Sequence, residues 1–287
     1  MSNILLKSVS SAMERIAPLR LAEKWDNVGV LLESPIQRKG PSRVLLTIDL
    51  TPSVLAESLA KETSVIVSYH PTIFKPLKSL TLSNPLQTSL LQCAAHGISV
   101  YCPHTSLDSV WGGINDWLAE GLMNSKDDGE IRALLGEKLS PTTGESEGAE
   151  GRLVILKEPI AIDVLEKRIK THLKLSQIQV AYPDTARGRP STIRSIAICA
   201  GSGGSMLLGA DADVYFTGEM AHHEVLAAVG AGKHVILCGH TNTERGYLPI
   251  LAAKLLKELR ASELRDQGLG DVEVIVSQND SHPLQFV

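Results

Sequence analysis

Eight short runs rich in Val, Ile and Leu recur along the chain, separated by longer stretches whose apolar residues follow helical spacing. The runs are VLLTIDL from Val44, SVIVSYH from Ser64, GISVYCPH from Gly97, RLVILK from Arg152, IRSIAICAG from Ile193, ADVYF from Ala212, KHVILCGH from Lys233 and DVEVIVS from Asp271. Each has the length and β-branched content of a strand. Between them, PSVLAESLAKE from Pro52, NPLQTSLLQCAAHG from Asn84, IDVLEKRIKTHL from Ile162 and LPILAAKLLKELRASELRDQ from Leu248 carry the helix period. This alternation predicts an α/β fold. Strands so uniformly apolar predict sheets covered by helices on both faces.

Composition narrows the function classes. With 287 residues and 43% hydrophobic content the chain can bury sizeable cores, which excludes disorder of the whole and suggests one large or two medium domains. The expected division is residues 1–125 with 236–287 as one domain and 126–235 as the other. SPTTGESEGAEG, Ser140 to Gly151, lacks apolar periodicity and is expected to be a mobile loop. Lys and Arg number 28 against 32 Asp and Glu, a net charge of −4, so there is no basic footprint for direct nucleic-acid binding. No apolar run approaches the ~18 residues that span a bilayer, which predicts a soluble, intracellular, cytoplasmic protein without a membrane partner. The Ser-rich opening, with Lys7, Arg15 and Arg20 against Glu14, leaves a mitochondrial pool as an alternative, and a nuclear pool is a second. Cys93, Cys102, Cys199 and Cys238 form no C-x-x-C and read as free, buried thiols of a reducing compartment.

Three strand runs share one ending: SVIVSYH stops at His70, ISVYCPH at His104 and HVILCGH at His240. In open parallel sheets, ligands bind at the carboxyl edge, where loops bring distant residues together. Two of these histidines have a carboxylate four residues on, Asp108 in HTSLD and Glu244 in HTNTE, and residues at that spacing face the same way on a helical turn. One such pair is most often a surface ion pair. Two pairs after buried strands, with a third strand-terminal His, point instead to metal. Imidazole and carboxylate donors without zinc-finger spacing suit an open site for Zn, Fe, Mn, Co or Ni. Five ligands suffice for two ions about 3.5–4 Å apart sharing a water, the hydrolytic two-metal arrangement. Cys102 and Cys238 lie two residues before His104 and His240 and read as core residues, with soft ligation as the alternative.

Other clusters are weaker. TGEMAHHE carries Glu219, His222 and His223, which are candidates for general acid or base work; a surface helix start is the alternative. Tyr69 either plugs the core or hydrogen-bonds near the site. The Gly-rich CAGSGGSM from Cys199 reads as a tight turn, with anion binding as the alternative, and lacks the P-loop lysine. No G-x-S-x-G elbow supports a serine nucleophile. His96, His172, His234 and His282 show no partner pattern.

Taken in order, EKWDNVGVLL from Glu23, YHPTIF from Tyr69, HTSLDSVWGGINDWLA from His104, CAGSGGSM, TGEMAHHEVL from Thr217 and GHTNTERGYL from Gly239 resemble the NGG-interacting-factor (NIF-three) family. Its bacterial members go under the description GTP cyclohydrolase I type 2 homologue. The resemblance runs from about residue 4 to the C-terminus. It implies two interlocked three-layer α/β domains with a dinuclear metal centre in the cleft between them, assembled as a hexameric ring. Its ligand motifs fall on His70, on His104 and Asp108, and on His240 and Glu244. Asp116 in GGIND also matches a family motif and is read as structural. Bacterial relatives tend to carry two histidines before the proline where this chain has Tyr69 and His70. A ligand nitrogen is lost there, so the second ion binds more weakly, is a different ion, or uses the tyrosine oxygen. For function the resemblance implies a metal-dependent hydrolase acting on a small, nucleotide-type or cyclic-amide substrate. The alternative is a ring-forming scaffold for protein partners, transcription factors included, with structural metal.

Overall fold

The computed structural model describes residues 4–38, 40–184, 191–261 and 271–285. The chain divides into two compact units, Met1–Leu107 with Tyr247–Ser281 and Asp108–Gly246 with His282–Val287. Both are α/β, and all eight apolar runs form strands.

In the first unit, β1 (Gly29–Leu32), β2 (Ser42–Thr47), β3 (Val65–Ser68), β4 (Ser99–Cys102) and β11 (Val272–Val276) form one sheet in the order β1-β4-β3-β2-β11. All neighbours are parallel except β1, which runs antiparallel to β4. Helices α2 (Pro52–Ala60) and α3 (Pro85–Ala95) start at Thr51 and Asn84, whose side chains accept from the first-turn amides while Pro occupies the first helical position. They cover one face, where Leu45, Ile66 and Val100 meet Val54, Leu55 and Cys93. The alternate residues Val44, Leu46, Val65 and Val67 are equally buried, so the sheet is covered on both sides. Helix α9 (Leu248–Ala261) runs along β11 and β2, and α1 (Ile4–Ile16) lies along α9, tied by an Arg15 Nε to Glu258 Oε2 bond of 2.7 Å. The last part of the helix expected from Leu248, residues 262–267, lies outside the described residues.

In the second unit the strands are β5 (Gly129–Leu139), β6 (Ser146–Ala161), β7 (Gln179–Ala181), β8 (Thr192–Ser202), β9 (Val214–Glu219) and β10 (His234–Leu237). Their order is β5-β6-β8-β9-β10-β7, with β8, β9 and β10 parallel. Helices α7 (Gly204–Leu207) and α8 (His222–Gly230) contribute Leu207 and Ala228 to a core with Ala197, Tyr215 and Val235. Helix α5 (Ile114–Glu120) packs on β6 and β8. Helix α4 (His104–Ser109) holds the boundary at which the chain passes from the first unit to the second.

The segment Ser140 to Gly151 corrects an expectation. Only residues 140–145 turn; from Ser146 onward the chain is strand β6. Its Gly and Ser residues reflect close packing rather than freedom. Gly148 bridges to Val110, and a Cβ there would stand 2.3 Å from the Ser109 carbonyl oxygen. The Trp111 amide and indole N–H donate to Glu147 O (3.1 Å) and Ser146 Oγ (3.0 Å). A polar composition that looks like a loop is here a strand matched to a close backbone neighbour.

Candidate metal centre

Residues that follow adjacent parallel strands are carried to one edge together, and that positions the histidines. In the first unit Thr47 of β2 is in register with Ser68 of β3, and the residues two beyond each are Asp49 and His70. Their side chains meet, His70 Nδ1 to Asp49 Oδ1 at 3.0 Å. His104, just past the next strand β4, bonds through Nδ1 to Asp26 Oδ1 at 2.8 Å. The Asp26 side chain is wholly buried, and its second oxygen accepts from the backbone and hydroxyl of Thr105. Burial pushes the Asp26 carboxyl up, but the hydrogen bonds from His104 and Thr105 outweigh it and hold the group below its ordinary value. The His70 and His104 rings lie 5.5 Å apart, edge to face. Tyr69 is 2% exposed, with its ring 5.0 Å from His70 and 5.4 Å from His104, so it fills the space beneath both.

The second unit repeats the rule. Thr217 of β9 is in register with Leu237 of β10; Glu219 stands two beyond the first and His240 three beyond the second. His240 Nδ1 bonds Glu219 Oε1 at 2.9 Å, while its Nε2 faces Glu244 Oε1 at 3.2 Å. His240 and Glu244 lie on a tight 3₁₀ turn, His240–Thr243, rather than on an α-helix, yet the spacing of four still turns them toward one another. Asp108 and Glu244 both act on the Cys199 thiol, whose ionisation is pushed up by burial first and by these negative charges second. Cys93 and Cys238 are pushed up to about 12 by burial, and all four cysteines are free and buried. They are packing residues.

The donor chemistry fits a metal. In each of the three histidines Nδ1 is engaged by a carboxylate, which fixes the tautomer and leaves Nε2 as the lone-pair donor, the way metal-binding imidazoles are held. The Gly-rich run has the role of leaving space. A Cβ on Gly201 would come within 2.7 Å of Glu244 Oε1 and 2.9 Å of His240 Nε2, and Gly201 is held in the left-handed region at φ +65°. Its amide donates to Thr243 Oγ1 (2.9 Å) and that of Ala200 to Asn115 Oδ1 (2.9 Å), so these two amides are already bound within the protein.

His222 and His223 are exposed at the start of α8, their rings 5.4 Å from each other. His222 borders a cavity of about 330 Å³ lined by Val180, Met220, Val225, Val235 and Leu237. Of the three proton-carrying candidates, Glu219 is the one bonded to His240. Asp116 holds the guanidinium of buried Arg152 at 2.6 Å. Asp26 and Asp49 went unnoticed in the sequence. His282, which shows no partner pattern in the sequence, bonds Thr241 Oγ1 at 2.9 Å, and its ionisation is lowered by burial and then by the Arg245 and His240 charges.

A family model described as Duf34/NIF3 (NGG1p interacting factor 3) matches residues 4–283. The chain belongs to the Duf34/NIF3 family. Among its relatives, the Schizosaccharomyces pombe Protein NIF3 homolog is 45% identical over 96% of both chains. NGG1-interacting factor 3 of Saccharomyces cerevisiae is 37% identical over 97% of this chain and 96% of its own. The crystal structure of a Bacillus cereus protein related to NIF3 superposes with a TM-score of 0.74 at 20% identity, covering 98% of each chain, which establishes the common Duf34/NIF3 fold. Among the described residues no helix is long and apolar enough to cross a membrane.

Proposed function

We propose that this Duf34/NIF3 protein is a metal-dependent hydrolase of small, nucleotide-type substrates. In the first unit His70 and His104, and in the second Asp108, His240 and Glu244, are assigned as ligands of divalent ions, Zn, Fe, Mn, Co or Ni, up to two per chain. The observation that carries the reading is the carboxylate at Nδ1 of every strand-terminal histidine: Asp49 at His70, Asp26 at His104 and Glu219 at His240. Solvated histidines have no need of such partners, whereas ligating ones gain basicity and a fixed orientation from them. When bound, divalent ions supply Lewis acidity and lower the pKa of water toward neutrality.

The chain's own groups do the rest. The three carboxylates keep each Nδ1 protonated and aim each Nε2. Glu219, at 56% side-chain exposure, can also accept a proton from solvent and return it, with His222 and His223 as further carriers. Assembly as a hexameric homo-oligomer belongs to the same reading. Glu244→Ala removes one ligand and leaves the strand-end histidines in place, so the assay is steady hydrolysis by metal-loaded protein across a panel of nucleotides and cyclic amides. Turnover in the wild type that falls by at least about 100-fold in the variant is expected, on the scale of losing one charge-stabilising group. A ligand variant that melts earlier with turnover unchanged would return the protein to the scaffold reading.

A further inference from the structure

We propose that Trp25 and Phe74 form a stacking platform for a planar heteroaromatic ring of the substrate, beside His104. The inference rests on the metal-centre reading and adds to it the surface that would hold the substrate's ring. Large aromatic side chains are usually buried because each hides so much apolar surface, yet Trp25 is 61% and Phe74 53% exposed. They are not scattered: their ring centroids are 6.0 Å apart at 54°, and the Trp25 ring also stands edge-on to His104 at 6.0 Å.

The backbone beneath them is pinned. Asp26, next to Trp25, is the buried acceptor for His104 and Thr105, and the Glu23 amide donates to Thr105 Oγ1 at 2.9 Å. Asn27 Nδ2 donates to the carbonyl of Ile73, the residue before Phe74. The backbone that carries the two exposed rings is therefore tied to the histidine-bearing loops on both sides, and an exposed pair of rings so placed suits a π-face. Stacking on such rings is tolerant of ring identity but demands planarity. Lys24 and Lys75 are exposed and adjoin the two aromatics in sequence, which favours a ring bearing an anionic group.

The test is equilibrium dialysis of guanosine, adenosine and ribose against metal-loaded full-length protein: wild type, Trp25→Phe, Trp25→Ala and Phe74→Ala. Metal content and oligomeric mass are measured on each sample. A nucleoside should bind the wild type and Trp25→Phe comparably, ribose should not bind, and both alanine variants should be at least about tenfold weaker. Equal nucleoside affinity in Trp25→Ala, uptake of neither nucleoside by the wild type, or a changed oligomeric mass in Trp25→Ala would overturn the platform; the last would make the rings a contact between copies. A wild type without metal that still binds a nucleoside, dependent on Trp25, keeps the platform and overturns the metal centre instead.

Discussion

Arg152→Met is expected to lower the unfolding free energy by about 3–5 kcal/mol, the usual loss when one partner of a buried ion pair is removed. Arg152 is 0% exposed and is the largest fully buried side chain among the described residues. Its Nε and Nη2 donate to Asp116 Oδ2 at 2.9 and 2.6 Å, and its guanidinium carbon lies 4.1 Å above the Trp111 ring. It also donates to four carbonyls, those of Ala149, Gly151, Ser109 and Val110, at 2.8 to 3.0 Å. These contacts join the start of β6 to the turn that precedes α5. A doubly apolar replacement of Arg152 and Asp116 would remove the stranded charge, and such swaps are often neutral. Here the four carbonyls would still lose their donor, at about 1 kcal/mol for each hydrogen bond. The double variant should therefore remain well below the wild type. Urea unfolding that leaves Arg152→Met within about 1 kcal/mol of the wild type would show that the network contributes specificity without stability.

Gly201→Ala should sharply lower metal binding, at the cost of the backbone strain of a side chain in the left-handed region and of displacing the buried Glu244 carboxylate and the His240 ring. The new Cβ would stand 2.7 Å from Glu244 Oε1 and 2.9 Å from His240 Nε2, which belong to two of the three ligands assigned in the second unit. Gly209→Ala is the matched control, since its φ is +87° and a Cβ there meets nothing within 4 Å. Gly209→Ala should lose about 1–2 kcal/mol from the conformational penalty, and Gly201→Ala at least as much. Only Gly201→Ala should lose metal. Equal metal content in the two would mean that the space beside Gly201 is not where an ion is held.

Much of the fold was legible because the buried parallel strands are nearly pure apolar runs. The strands that escaped are those whose burial is partial: β5 mixes half-buried and exposed positions, β7 is half-buried or exposed throughout, and β1 is buried only at Gly29. The Ser140 to Gly151 error has the same root. Small and polar residues signal flexibility only when no neighbouring backbone requires them, and Ser109 does require Gly148. For the site, the spacing of four exposed His240 with Glu244, since local spacing survives in sequence. Asp26 and Asp49 could not be found that way, because they lie 78 and 21 positions from His104 and His70. A signal was nonetheless present for Asp49: it follows strand β2 by the same two residues by which His70 follows β3. Counting carboxylates past each strand end, as well as histidines, would have found it.

Strand-terminal histidines, each oriented by a carboxylate, are proposed to hold catalytic metal. Elemental analysis of protein purified without chelator or His-tag, wild type against His240→Ala, tests it most directly. About two equivalents of a divalent transition metal per chain are expected in the wild type, falling in His240→Ala. One equivalent in the wild type, lost in the variant, would keep the centre and mark Tyr69 as the position at which a ligand of a second ion is lost. A metal-free wild type, or metal content unchanged in His240→Ala, would contradict the account.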